Sequence, residues 1–89
     1  GETILIDGEE FIIGKAPEMA DYVVQNNATI SRKHVKITRK YDEFFIEDLG
    51  STNFTYLNSN RVAPGDKKKL QDRDIIYLSD EEFVFMIGN

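Results

Sequence analysis

The stretch SRKHVKITRKYDEFFIEDLGSTNFT, residues 31–55, decides how the chain folds. Val35 and Ile37 alternate with Lys36 and Thr38, as in a strand with one buried face, and Phe44 and Ile46 repeat the pattern after a turn at Tyr41-Asp42. An antiparallel path through that turn returns the chain to its start. It makes neighbours of Ser31-Arg32-Lys33-His34 and Asp48-Leu49-Gly50-Ser51-Thr52-Asn53-Phe54-Thr55, which are a whole hairpin apart. Gly14-Lys15, closing the apolar run Phe11-Ile12-Ile13, stands ahead of both as a third polar connector.

Strand signals continue outward from this hairpin. They cover Thr3–Ile6, Phe11–Ile13, Tyr22–Val24, His34–Arg39, Glu43–Glu47, Thr55–Leu57, Arg61–Val62, Lys69–Leu70, Asp74–Leu78 and Glu82–Ile87. Asp7-Gly8, Asn26-Asn27, Leu49-Gly50, Asn58 to Asn60 and Pro64-Gly65-Asp66 punctuate them as turns. Short, closely spaced strands of this kind predict a sandwich or barrel. The only helical candidate, Ala16–Ala20, contains Pro17 and has room for a single turn. Alternation and apolar runs nominate Ile4, Ile6, Ile13, Val24, Ile30, Val35, Ile37, Phe45, Leu49, Leu57, Leu70, Ile75, Tyr77, Val84 and Met86 for the core. Phe44 and Ile46 face the side opposite Phe45, and the pattern leaves open which set is buried.

Composition narrows the function classes. At 89 residues the chain is one domain, and with no cysteine and one histidine it has neither a disulfide scaffold nor the usual zinc pattern. No metal and no cofactor is expected. No apolar stretch approaches the roughly 20 residues of a membrane span, and Glu2, Asp7, Glu9 and Glu10 are unlike the basic start of a signal peptide. A cytoplasmic location without membrane contact is therefore expected. Gly1-Glu2 and Gly88-Asn89 read as cut points, so residues 1–89 are expected to be a single domain excised from a longer protein. The net charge of -5 opposes nucleic-acid binding. Yet Lys15, Arg32, Lys33, Lys36, Arg39 and Lys40 are concentrated in the first half, while Glu2 to Glu10 and Asp80 to Glu82 carry acid at the two ends. A small basic site on an acidic body suits one or two phosphates better than a long polyanion.

Gly14-Lys15, Ser31-x-x-His34 and Ser51-Thr52-Asn53-Phe54-Thr55 resemble, in order and spacing, the hallmarks of the forkhead-associated (FHA) domain: Gly-Arg, Ser-x-x-His and Ser-x-Asn-Gly-Thr. The resemblance covers nearly the whole chain. It implies an all-β sandwich of two antiparallel sheets with about ten to eleven short strands. It also implies a module that binds phosphothreonine peptides in signalling, downstream of a serine/threonine kinase, and that is not an enzyme; a monomer is expected. By the same resemblance Lys15, Ser31, Arg32, Thr52 and Asn53 contact the phosphopeptide, and Gly14, His34, Gly50, Ser51 and Asn58 support the site. The chemistry agrees, because a phosphate dianion needs converging cations and neutral donors. A hydrolase built on Ser31, His34 and Asp48 is disfavoured, since it also needs an oxyanion hole and a pocket and these residues are spaced along one edge.

The chain departs from the family pattern at several positions. Lys15 replaces arginine, so a point charge replaces a planar fork. Phe54 and Ser59 replace glycines, and Arg73 and Leu78 stand where glycines are common in the closing strands. If the first of those glycines serves a positive φ angle, Phe54 is strained or its loop changes shape. These departures sustain an alternative reading, a degenerate FHA domain that binds a protein partner without phosphate.

Overall fold

The computed structural model describes residues 4–6 and 8–87. Among them are nine strands and no helix: β1 (Glu10–Gly14), β2 (Tyr22–Val23), β3 (Val35–Lys40), β4 (Glu43–Asp48), β5 (Thr55–Leu57), β6 (Asn60–Arg61), β7 (Lys68–Leu70), β8 (Ile75–Leu78) and β9 (Glu81–Val84). Nine replaces the ten to eleven expected. Of the first expected strand, Thr3 lies outside the described residues and residues 4–6 are not in a strand. The expected cut points Gly1-Glu2 and Gly88-Asn89 also lie outside them, as does Asp7. Residues 16–20 make one turn, with the Met19 and Ala20 amides donating to the Ala16 carbonyl.

The strands form a five-stranded sheet in the order β2-β1-β3-β4-β7 and a four-stranded sheet in the order β6-β5-β8-β9. Every pairing is antiparallel except β1 with β2, which is parallel. The connector between β1 and β2 accordingly crosses one end of the sheet and carries Lys15 with it. Tight two-residue turns join β3 to β4 (Lys40 opposite Glu43), β5 to β6 (Leu57 opposite Asn60) and β8 to β9 (Leu78 opposite Glu81). In the second turn both Asn58 (φ 49°) and Ser59 (φ 73°) are left-handed, the geometry that matches the strand twist.

Phe11, Ile13, Val35, Ile37, Ile46 and Leu70 from one sheet meet Ile76 and Leu78 from the other, and Val24, Ile30 and Phe85 seal the ends. Phe44 packs edge-on against Phe85, ring centroids 5.2 Å apart. The register corrects several core assignments. Ile46 is fully buried while Phe45 is only half-buried, and Phe85 is buried while Val84 and Met86 are exposed. Within β8, Ile76 and Leu78 point inward, leaving Ile75 40% exposed and Tyr77 half-buried on the outer face. Ile-Ile-Tyr-Leu is apolar at every position, so alternation has no phase there; pairing of Leu57 with Ile76 and Thr55 with Leu78 supplies it.

Adjacent isoleucines with opposite orientations give a direct check. Ile76→Ala should cost about 2–5 kcal/mol in urea denaturation, whereas Ile75→Ala should cost less than about 1 kcal/mol. Equal losses would place the strand in the other register.

Candidate functional site

Three connectors converge at one end of the sandwich because their backbones are tied together. The Lys15 amide donates to the Ser31 carbonyl (3.0 Å) and the Ala16 amide to the Arg32 carbonyl (3.3 Å). Gly14 makes this approach possible: a Cβ there would stand 2.0 Å from the Arg32 carbonyl oxygen and 3.0 Å from the Lys33 Cα. No side chain fits between those backbones.

Two buried polar residues lock the remaining connector. Fully buried His34 accepts the Ser31 amide at Nδ1 (3.1 Å), so Nε2 carries the ring hydrogen and donates it to the Phe54 carbonyl (3.0 Å). Burial pushes the imidazole below its ordinary 6.5, outweighing the upward pull of the Phe54 carbonyl and the Asp48 charge. Asp48, 3% exposed at the end of β4, accepts the Gly50 and Ser51 amides at Oδ2 (3.0 Å each) and the Ser51 and Thr55 hydroxyls at Oδ1. Its burial alone would raise the carboxyl, but these hydrogen bonds win and hold it below the usual aspartate value. Gly50 and Ser51 thus shape their turn through a carboxylate to which the sequence reading gave no supporting role.

The result is a concavity of about 400 Å³ lined by Lys15, Met19, Ser31, Arg32, Lys33, Gly50 and Thr52. It has three cations and no carboxylate. The Ser31 hydroxyl oxygen accepts the Thr52 amide (3.1 Å), which leaves its proton free to donate into the concavity. The Lys15 ammonium reaches the Ala28 carbonyl at 3.4 Å, on the boundary with a second concavity of about 730 Å³ lined by residues of 15–28. Lys33 and Met19 were not anticipated as lining residues.

The remaining expected residues lie elsewhere. Asn53 is beside the concavity, its amide nitrogen donating to the Thr29 carbonyl (2.9 Å) across the two loops. Thr29 is itself held by Asn27 and Ser79. Asn58 is not brought to this end: it donates to Asp74 (2.9 Å) and accepts the Ile75 amide (2.9 Å), pinning the β5–β6 turn to the connector before β8. Phe54 occupies its glycine-like position with φ 73°.

Polar connectors locked at one end of a two-sheet sandwich are the arrangement in which a rigid scaffold presents recognition loops. The chain belongs to the FHA domain family, whose model matches residues 11–79. Its sequence is 29% identical, over its full length, to an oxoglutarate dehydrogenase inhibitor of Corynebacterium jeikeium, of which it spans 58%. In structure it resembles the FHA domain of CT664 from Chlamydia trachomatis (TM-score 0.84, 29% identity, 96% of this chain and 83% of that one). It also resembles a domain solved in a study of phosphothreonine-dependent FHA domain interactions (TM-score 0.86, 27% identity, 100% and 88%).

Two predictions follow from the locks. Gly14→Ala should destabilise the domain by about 1–3 kcal/mol or more, because backbone must move; an unchanged melting temperature would contradict the close approach. Stability should also fall on acidification in two stages. Below pH 6.5 the unfolded chain protonates its histidine while folded His34 resists until its own lower value. Asp48 contributes above the ordinary 3.8 and its contribution is lost as pH falls through its depressed folded value. The slope is at most about 1.4 kcal/mol per pH unit for each proton. Urea melts from pH 7 to 3 would check this, with His34→Gln flattening the upper stage.

Proposed function

We propose that this domain recognises phosphothreonine in partner proteins, acting as a phosphorylation-dependent interaction module and not as an enzyme. The observation that carries the reading is the concavity itself: Lys15, Arg32 and Lys33 line it with no carboxylate among the lining residues, on a chain whose net charge is -5. Ser31 and Thr52 add hydroxyls at the same place. In this reading Lys15, Ser31, Arg32 and Thr52 hold the phosphate, and Asn53, beside them, meets the peptide backbone. Gly14, His34, Gly50 and Ser51 hold the connectors in place; Asn58 serves the opposite turn. Two or three charge-assisted hydrogen bonds at about 1.5–3 kcal/mol each favour phosphorylated over bare peptide by roughly a hundred- to several-thousand-fold.

The similarity to a domain studied for phosphothreonine-dependent interactions supports the same reading. Regulation of a larger protein suits the relative named as an enzyme inhibitor. A serine/threonine kinase would then supply the modified partner, and the domain would act as a cytoplasmic monomer.

Calorimetric titration of phosphothreonine peptides against unphosphorylated twins tests the proposal. Phosphopeptides should bind and their twins should not; Lys15→Ala should weaken binding about 5- to 30-fold, and Lys15→Arg should strengthen it. Equal binding of both peptide forms would favour the phosphate-independent alternative.

A further inference from the structure

The four-stranded sheet has a second face, turned away from the core. Thr55, Val62, Ile76 and Leu78 are buried on the inner side, so their neighbours Tyr56, Arg61, Ile75 and Tyr77 point outward. Register sets four outward side chains in one line across the sheet: Arg61 on β6 is opposite Tyr56 on β5, Tyr56 opposite Tyr77 on β8, and Tyr77 opposite Glu82 on β9. A cation stands at one end of the line and a carboxylate at the other, with two aromatic rings between. Ile75 and Val84, cross-strand partners 40% and 53% exposed, make the neighbouring row apolar.

Neither charge has an ion-pair partner among the described residues. The Arg61 guanidinium lies on the Phe54 ring, 3.8 Å from centroid to Cζ, which uses its face and leaves its N–H edges free. Glu82 accepts only a long contact from the Tyr77 hydroxyl (3.5 Å). Three strand spacings of about 4.8 Å separate the two backbones, so the charges are too far apart to satisfy each other. Read from either end, however, the line is complementary to its own reverse. A second copy laid face to face about a two-fold axis parallel to the strands supplies that reverse: Arg61 meets the other copy's Glu82 and Tyr56 meets its Tyr77, each twice. An axis across the strands would instead set Arg61 on Arg61 and Glu82 on Glu82. Charge therefore selects one arrangement.

We propose that the outer face of the β6-β5-β8-β9 sheet pairs with the same face of a second copy of this chain, through two Arg61–Glu82 contacts flanking a tyrosine centre. Four strands and two rows cover on the order of 300 Å² per copy, well below the roughly 800 Å² per partner of a stable complex. A domain free at micromolar concentration thus stays a monomer, and pairing follows when copies are concentrated together. An axis along the strands leaves both Lys15–Ser31 concavities at the same end of the pair. Pairing itself needs no phosphate, so its failure and that of the phosphothreonine reading are separate results.

Sedimentation equilibrium from about 10 μM to about 1 mM tests the pairing. The chain should be a monomer at the low end and dimerise with a Kd on the order of 0.1–1 mM. Arg61→Glu and Glu82→Arg should each weaken pairing about 5- to 30-fold, because each sets like charges face to face twice. Mixed in equal amounts, the two variants should pair with each other about as well as the unaltered chain does, since each offers the charge that the other lacks. Amide NMR shifts on dilution of the unaltered chain give a check that needs no variant: they should be concentrated at Tyr56, Ile75, Tyr77 and Val84. A chain that stays a monomer to about 1 mM, association that either variant leaves intact, a mixture of folded variants that does not regain it, or dilution shifts on another surface would overturn the proposal.

Discussion

A buried carboxylate, unpaired with any cation among the described residues, holds the loop end of this domain together. Asp48 leaves the ladder opposite Val35 and immediately collects four donors from the next seven residues. A charge removed from water is tolerated only when its lone pairs are filled. Filling them turns the Gly50 and Ser51 amides inward and fixes the course of the Gly50–Thr55 segment. That conformation places the Thr52 amide on Ser31 and the Phe54 carbonyl on His34. His34 returns the constraint to the first loop by accepting the Ser31 amide. Carboxylate, imidazole and serine are thus links in one chain, and the three cations of the concavity stand on loops that this chain fixes.

Much of this was legible in residues 31–55, where a polar-apolar alternation and a turn suffice to bring two motifs to one edge. The β1–β2 connector was legible too, through Gly14-Lys15. What the sequence hid has specific physical causes. Asp48 enters the sequence reading only as the start of the second motif run and as a member of a disfavoured triad, because nothing in its own type says that four donors follow. The phase of β8 was hidden by an unbroken apolar run, and that of β9 by Phe83-Val84-Phe85-Met86, where each residue suits either face. Asn58 carried a family-like position, yet its partners Asp74 and Ile75 lie at the far turn. Partnership between the ends of neighbouring strands is a property of register, which residue type alone does not encode.

The missing glycines are the opposite case, a local signal that the structure explains. Phe54, Ser59 and Arg73 adopt φ of 73°, 73° and 72°, so the backbone is left-handed at the positions where the family pattern has glycine. At the fourth position the strain is displaced by one residue, to Ser79 at φ 58°. Ser59 and Arg73 are exposed turn residues, where such strain has only a modest effect on the fold. Phe54 differs because its carbonyl is clamped from two sides. Strain there is transmitted to the site instead of being lost to solvent.

Lys15 shows how a fixed backbone and a mobile charge divide the work. Its main chain is tied down, joined to Ser31 and backed by the Gly14 contact. Its side chain is exposed and, among the described residues, engaged with the Ala28 carbonyl at 3.4 Å. Gripping a phosphate would release that contact and immobilise a stem carrying about 2 kcal/mol of rotamer entropy. An arginine loses less of that freedom per hydrogen bond, because its donors are preset in a plane. The lysine therefore trades tightness for reach: its ammonium stands between two concavities and can serve whichever side a ligand occupies. Selectivity in such a site has to come from the fixed groups, the Ser31 hydroxyl and the turn that Asp48 holds, while the lysine supplies attraction.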